Sequence, residues 1–130
     1  MVPPFKKVET LAVQLGKDEI DLLRSGLAEW GGPAHATDEL AVAMGFEDVA
    51  DLYTQVHRLE EAVSESKPLT AADWKRALVA TEVAFVSNVF GSGLDWSTTV
   101  GLSDETTIQL LRRLQRKLGS AIATTARGAE

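Results

Sequence analysis

The chemically most unusual residue of this sequence is a carboxylate within an apolar segment. Glu82 lies in residues 74–90. At about 100° per residue it falls between Val86 and Val89 on a predicted helix. An ionised carboxylate there is costly unless it is paired or hydrogen-bonded. Three interpretations follow: an ion pair with an Arg or His of another helix, a side chain at the helix edge that reaches solvent, or a functional carboxylate.

A loop rich in glycine and hydroxyl groups follows this segment, over residues 91–99. Its glycines would let the backbone approach a ligand, on which Trp96 could stack. A phosphate loop is excluded, because no Lys-Ser or Lys-Thr pair follows the glycines. The plainer interpretation is that the loop crosses the end of a helical bundle, where Trp96 fills the core. The candidate pocket residues are Glu82, Asn88, Asp95 and Trp96.

The two carboxylates that follow His57, Glu60 and Glu61, raise the hypothesis of a metal site. Ferritin-like sites use a Glu and a His three residues apart on each of two helices, with further glutamates opposite. Here only one His–Glu group is present, and its counterpart on a second helix is missing unless Glu82 serves as a ligand. We therefore predict no metal and no cofactor. The chain has no cysteine, which excludes disulfides, thiolate zinc sites and cysteine nucleophiles.

Residues 37–59 resemble a helix-turn-helix, with a turn at Gly45. A recognition helix presents its N-terminal side chains to bases and phosphates. Here those positions hold Glu47, Asp48 and Asp51, which phosphates repel. The plainer interpretation is two packed helices joined by a glycine turn. A DNA-associated regulator is therefore only an alternative, and the acidic chain argues against a nucleic-acid partner.

Charge is unevenly distributed along this chain of net charge −6. Residues 1–65 contain 13 acidic and 5 basic residues, whereas residues 66–130 contain 6 acidic and 8 basic residues. The basic residues of the last predicted helix, including Arg112 and Arg116, can meet the acidic half within one chain or between chains. No signal-peptide pattern and no apolar run of about 20 residues is present, so we expect a cytoplasmic protein without a membrane span.

Apolar spacing predicts an all-α fold, a compact single-domain bundle of five to six helices. The helices are predicted at residues 17–30, 38–44, 47–64, 70–90 and 103–118. Residues 5–15 are predicted as a helix, with a strand as the rival because Leu11, Val13 and Leu15 alternate with polar or small residues. Residues 1–4 are expected to be an extended lead-in and residues 119–130 a frayed tail.

The helix at 70–90 is expected to be the central, buried one. Its large apolar residues form one face, while small residues on the other would let a second backbone approach closely. We expect Ala77, Ala80 and Ala84 on that small side, together with Arg112 and Arg116, to contribute to an interface between copies.

The sequence alone does not identify a function. The leading hypothesis is a non-enzymatic helical interaction or regulatory protein that self-associates as a homodimer. The alternatives are the DNA-associated regulator at residues 37–59 and a small-molecule or enzymatic pocket around Glu82 and residues 91–99. Nothing in the sequence argues positively for an enzyme.

Overall fold

The computed structural model describes residues 9–128, which contain six α-helices, two short 3-10 helices (Glu29–Gly31 and Gly93–Asp95) and one pair of short strands. In chain order the α-helices and strands are β1 (Thr10–Leu11), α1 (Lys17–Ala28), α2 (Asp38–Ala43), α3 (Val49–Ser64), β2 (Leu69–Thr70), α4 (Ala71–Val86), α5 (Trp96–Val100) and α6 (Asp104–Gly128). The predicted all-α bundle is therefore confirmed. Helix α1 packs against α3, α4 and α6, so it shares the centre of the fold with α4.

Capping side chains set the starts of four helices. In each case the side-chain oxygen accepts the backbone N–H of the third residue after it, and the capping residues are Thr37, Asp48, Thr70 and Ser103. Such a cap contributes about 1 kcal/mol to helix stability. The predicted starts of α2 and α6 are confirmed, whereas α3 begins at Val49, two residues later than predicted.

The segment before α1 is extended, so the predicted helix at 5–15 is wrong over residues 9–15. Strand β1 pairs antiparallel with β2, with Thr10 opposite Thr70 and Leu11 opposite Leu69. Trp74 fixes this pairing, because its Nε1 donates a hydrogen bond to the Leu11 carbonyl at 2.9 Å. The alternation that made a strand the rival interpretation was the correct signal. Residues 1–8, including the expected lead-in, lie outside the described residues.

Helix α4 ends four residues earlier than predicted, at Val86. The Ser87 hydroxyl oxygen accepts the backbone N–H groups of Val89 and Phe90, which turns the chain away from the helix axis. Residues 87–90 therefore form a turn rather than a continuation of the helix.

The small face of α4, defined by Ala77, Ala80 and Ala84, is covered within the chain. All three alanines are 0% exposed. At Gly26 of α1 the two helices approach so closely that a Cβ atom would lie 2.5 Å from the Thr81 side chain. The interface between copies that we expected at these alanines is therefore not available in this fold, because α1 occupies the position of the second chain.

Helix α6 is longer than predicted and continues to Gly128. Ile122 lies one turn beyond Leu118 and also packs against the core. The apolar stripe therefore continues past Gly119, and the tail expected to fray is helical through residue 128. Residues 129–130 lie outside the described part.

Candidate functional site

The structure does not bring the four predicted pocket residues together. Trp96 is completely buried, with its ring edge-on to Phe85 at a centroid distance of 5.4 Å. Its Nε1 donates a hydrogen bond to the Thr107 hydroxyl at 2.9 Å. Trp96 therefore fills the core, as the plainer interpretation of the loop proposed, and presents no free ring face to a ligand.

Asn88 and Asp95 are exposed and shape the loop instead of lining a pocket. The Asn88 side-chain oxygen accepts the backbone N–H of Leu94 at 3.0 Å. The backbone carbonyl of Asp95 accepts a hydrogen bond from the Thr99 hydroxyl at 3.2 Å. The first contact is a turn interaction of the kind that Asn side chains commonly make. The second involves only the backbone of Asp95, because a Thr hydroxyl often bonds to the carbonyl four residues before it.

Glu82 lies at the edge between α4 and α6, half-buried and hydrogen-bonded to a neutral partner. Its Oε2 accepts a hydrogen bond from Gln115 Nε2 at 2.6 Å. Arg112 in turn donates from Nη1 to Gln115 Oε1 at 2.8 Å. The direct ion pair with Arg or His is therefore not formed, because Gln115 stands between the carboxylate and the guanidinium.

These three polar residues form one end of a groove between α4 and α6. The groove has a volume of about 150 Å³, and Phe85 and Leu111 also line it. Ligand pockets that enclose a small molecule usually measure about 300–1,000 Å³. This groove is smaller and open to solvent, so its dimensions suit protruding side chains of another protein better than a whole small molecule.

Exposed apolar side chains occur in the groove and in the loop that follows α4. Val86 and Ile108, which line it, are 71% and 48% exposed. Val89 and Leu94 follow α4 in the chain and are 70% and 83% exposed. We call this groove, with its exposed residues Val86 and Ile108, the α4/α6 face. Exposed apolar residues that share one groove are a feature of interaction surfaces, whereas isolated ones are ordinary.

Glu19 is a buried carboxylate that the sequence analysis missed. It is 2% exposed, and its Oε1 accepts hydrogen bonds from the Gly16 backbone N–H at 2.7 Å and Lys117 Nζ at 2.6 Å. Burial opposes its ionisation, but the two donors more than offset this and lower the pKa of Glu19. The stripe used to flag Glu82 could have identified it, because Glu19 precedes Leu22 and Leu23 by three and four residues.

Asp73 is the second buried carboxylate with a charged partner. Arg58 donates to both of its carboxylate oxygens, at 3.0 and 2.8 Å, and Arg76 adds a contact at 3.1 Å. Burial again opposes ionisation, but the two guanidinium groups prevail and lower the pKa of Asp73. The pair joins α3 to the first turn of α4, so its role is structural.

Glu29 fastens the loop at 91–99 to the end of α1. This buried carboxylate accepts hydrogen bonds from the hydroxyls of Ser92 and Thr99, the latter at 2.8 Å. Within residues 9–128 no Lys, Arg or His forms an ion pair with it. The hydroxyl groups that made this loop a candidate ligand site are thus used, at these two positions, to hold the loop in place.

The segment that resembles a helix-turn-helix presents carboxylates at the start of α3. Asp38 accepts the backbone N–H of Val49 at 3.0 Å, and Asp51 accepts that of Glu47 at 3.0 Å. Asp48 caps the helix. These side chains give the N-terminus of α3 a negative surface, which repels a phosphate backbone.

Neither a metal cluster nor a membrane-crossing helix is found in the described residues. His57 is exposed on α3, and no three His, Cys, Asp or Glu side chains converge between residues 9 and 128. None of the helices over the same residues has both the length and the apolar content that crossing a bilayer requires.

Comparisons with protein-family models, curated proteins and solved structures return no match. Function must therefore be inferred from the geometry of this chain, and the α4/α6 face combines an open groove with exposed apolar side chains.

Proposed function

We propose that this protein is a non-enzymatic interaction domain that self-associates through the α4/α6 face. The observation that carries the proposal is the exposure of Val86 and Ile108 in one open groove between α4 and α6. Burying the exposed part of each side chain would contribute about 1 kcal/mol. A face with two such residues in one groove therefore gains enough from a partner to offset part of the cost of association.

The polar end of the groove supports the same proposal. Glu82, Gln115 and Arg112 form a connected series of hydrogen bonds beside Phe85 and Leu111. Protein interfaces commonly combine an apolar centre with a polar rim that fixes orientation. Arg112, predicted from the sequence as an interface residue, lies on this rim. Arg116 is exposed one turn further along α6.

Sedimentation equilibrium of the whole chain and of three single variants tests this proposal. We expect the unmodified chain to dimerise with increasing concentration. Val86→Lys and Ile108→Lys should each weaken the dimer about tenfold or more, because a lysine would be buried in the contact. Val42→Lys is the matched control, since Val42 is 58% exposed on α2, away from the groove.

Two outcomes would contradict the proposal. The first is an unmodified chain that stays monomeric at every concentration. The second is a Val42→Lys variant that weakens the dimer as much as Val86→Lys and Ile108→Lys do.

A further inference from the structure

One exposed flank of α6 carries a charge pattern that complements itself. Asp104, Ile108 and Arg112 follow one another at intervals of four residues and are all exposed. Residues four apart lie on the same side of a helix. Along this line an acid therefore comes first, an apolar residue stands in the middle and a base comes last.

We propose that two copies of the chain pair through this flank, with their α6 helices antiparallel and a two-fold axis beside Ile108. The inference rests on the proposed self-association and specifies its geometry. In a two-fold interface, residue i of the first copy meets residue j of the second, and residue j of the first copy meets residue i of the second. Asp104 of each copy then meets Arg112 of the other, at about 6 Å along the helix on either side of the axis.

Only the antiparallel arrangement satisfies these charges. Parallel helices would place Asp104 against its own copy and Arg112 against its own copy, and both contacts are repulsive. The neighbouring charges favour the same direction, since Glu105 enlarges the acidic end and Arg116 the basic end. Ile108 would lie at the axis, beside the exposed Val86 of α4.

The charges of this flank are not used elsewhere in residues 9–128. The opposite flank of α6 serves the fold, because Lys117 binds Glu19 and Arg113 lies close enough to favour the ionised form of that carboxylate. By contrast, Arg112 donates only to the neutral Gln115. Asp104, Glu105, Arg112 and Arg116 form no ion pair in the described part of the chain.

A charge-reversal experiment tests the pairing. The acidic end is reversed by Asp104→Arg with Glu105→Arg, and the basic end by Arg112→Glu with Arg116→Glu. Each variant alone should lose at least about tenfold in dimer affinity, because like charges would then face each other. An equimolar mixture should recover dimers, and native mass spectrometry should identify them as heterodimers.

Reversal of charges elsewhere provides the control. Arg24→Glu with Lys75→Glu replaces two basic residues by acidic ones, as in the variant of the basic end, but at exposed positions on α1 and α4. This control should leave the dimer affinity unchanged. Far-UV circular dichroism of each variant checks that α6 remains folded. If a reversed variant is not helical, Asp104→Asn with Glu105→Gln replaces it. This neutral variant should weaken the dimer and reduce its sensitivity to salt.

The failures of the two proposals are distinguishable. An unmodified chain that is monomeric at all concentrations overturns both the proposed function and this inference. A dimer that tolerates either reversal, forms no heterodimer on mixing, or keeps its salt sensitivity in the neutral variant overturns the antiparallel pairing alone. The self-association would then use another part of the α4/α6 face.

Discussion

The two sides of α4 differ in how completely the fold covers them. The small face, formed by Ala77, Ala80 and Ala84, is completely buried. On the other side, Val86 is 71% exposed although it is larger and more apolar. Backbone proximity therefore decides which side of this helix is enclosed. Small side chains let α1 approach, and the larger apolar residues at the end of α4 remain available to a partner.

The closed side depends on one close approach between α1 and α4. Gly26 lies against Thr81, and Trp30 Nε1 donates a hydrogen bond to the Ala80 carbonyl at 3.0 Å. A larger residue at this contact, on either α1 or α4, would push the two helices apart. Buried atoms between the helices would then lose their van der Waals contacts. The open side has no equivalent constraint, so substitutions there should affect association much more than folding.

The largest expected effect on folding comes from Gly26→Ala. The new Cβ would lie 2.5 Å from the Thr81 side chain, so we expect the free energy of unfolding to fall by about 2 kcal/mol. This loss opposes the gain of up to about 1 kcal/mol that alanine normally gives in a helix. Urea denaturation provides the measurement.

Gly119→Ala is the matched control, because an added Cβ at this position of α6 would meet nothing within 4 Å. It should stabilise the protein slightly. If Gly26→Ala stabilised the protein to the same degree, close approach would not be what encloses the small face.

A smaller effect is expected from pH, through the two charged pairs on the enclosed sides of α1 and α4. The pKa values of Glu19 and Asp73 lie below their ordinary values of 4.5 and 3.8. Their stabilisation is therefore complete above about pH 4.5 and is lost as the pH falls through the lowered values. We therefore expect the free energy of unfolding to fall progressively over that acidic range.

Urea denaturation between neutral and acidic pH measures this loss. The double variant Glu19→Gln with Asp73→Asn should be less stable at neutral pH and should depend less steeply on pH. An unchanged pH dependence in the double variant would show that other carboxylates are responsible.

The sequence predicts the local features of this fold well. Helices α2, α4 and α6 begin within one residue of their predicted starts. Their caps, Thr37, Thr70 and Ser103, are local features, because a cap is made by a side chain and a backbone N–H only three residues away. The antiparallel strand pair was harder to predict, since β1 and β2 are far apart in the sequence. Its pattern was present in residues 9–15, but a helical pattern overlapped it.

The site was less predictable because its contacts span the chain. Glu82 was recognised as unusual, yet its partner, Gln115, comes from another helix and is neutral. Glu19 resembles an ordinary acidic residue in the first turn of a helix until Lys117, near the other end of the chain, packs beside it. The alanines of α4 indicated a side that another backbone could approach, but no pattern within α4 reveals that Gly26 of the same chain makes that approach.

Cysteine cross-linking at Ile108 tests most directly whether copies meet at the α4/α6 face. The chain has no cysteine, so a single Ile108→Cys substitution introduces a unique thiol, and Val42→Cys gives the matched exposed control. A disulfide needs Cα atoms within about 7 Å, which a two-fold axis beside residue 108 would permit. We expect rapid disulfide-linked dimers for the Ile108 variant and slow ones for the Val42 variant under mild oxidation. Equal rates for the two variants, or faster linkage at position 42, would contradict a contact between copies at Ile108.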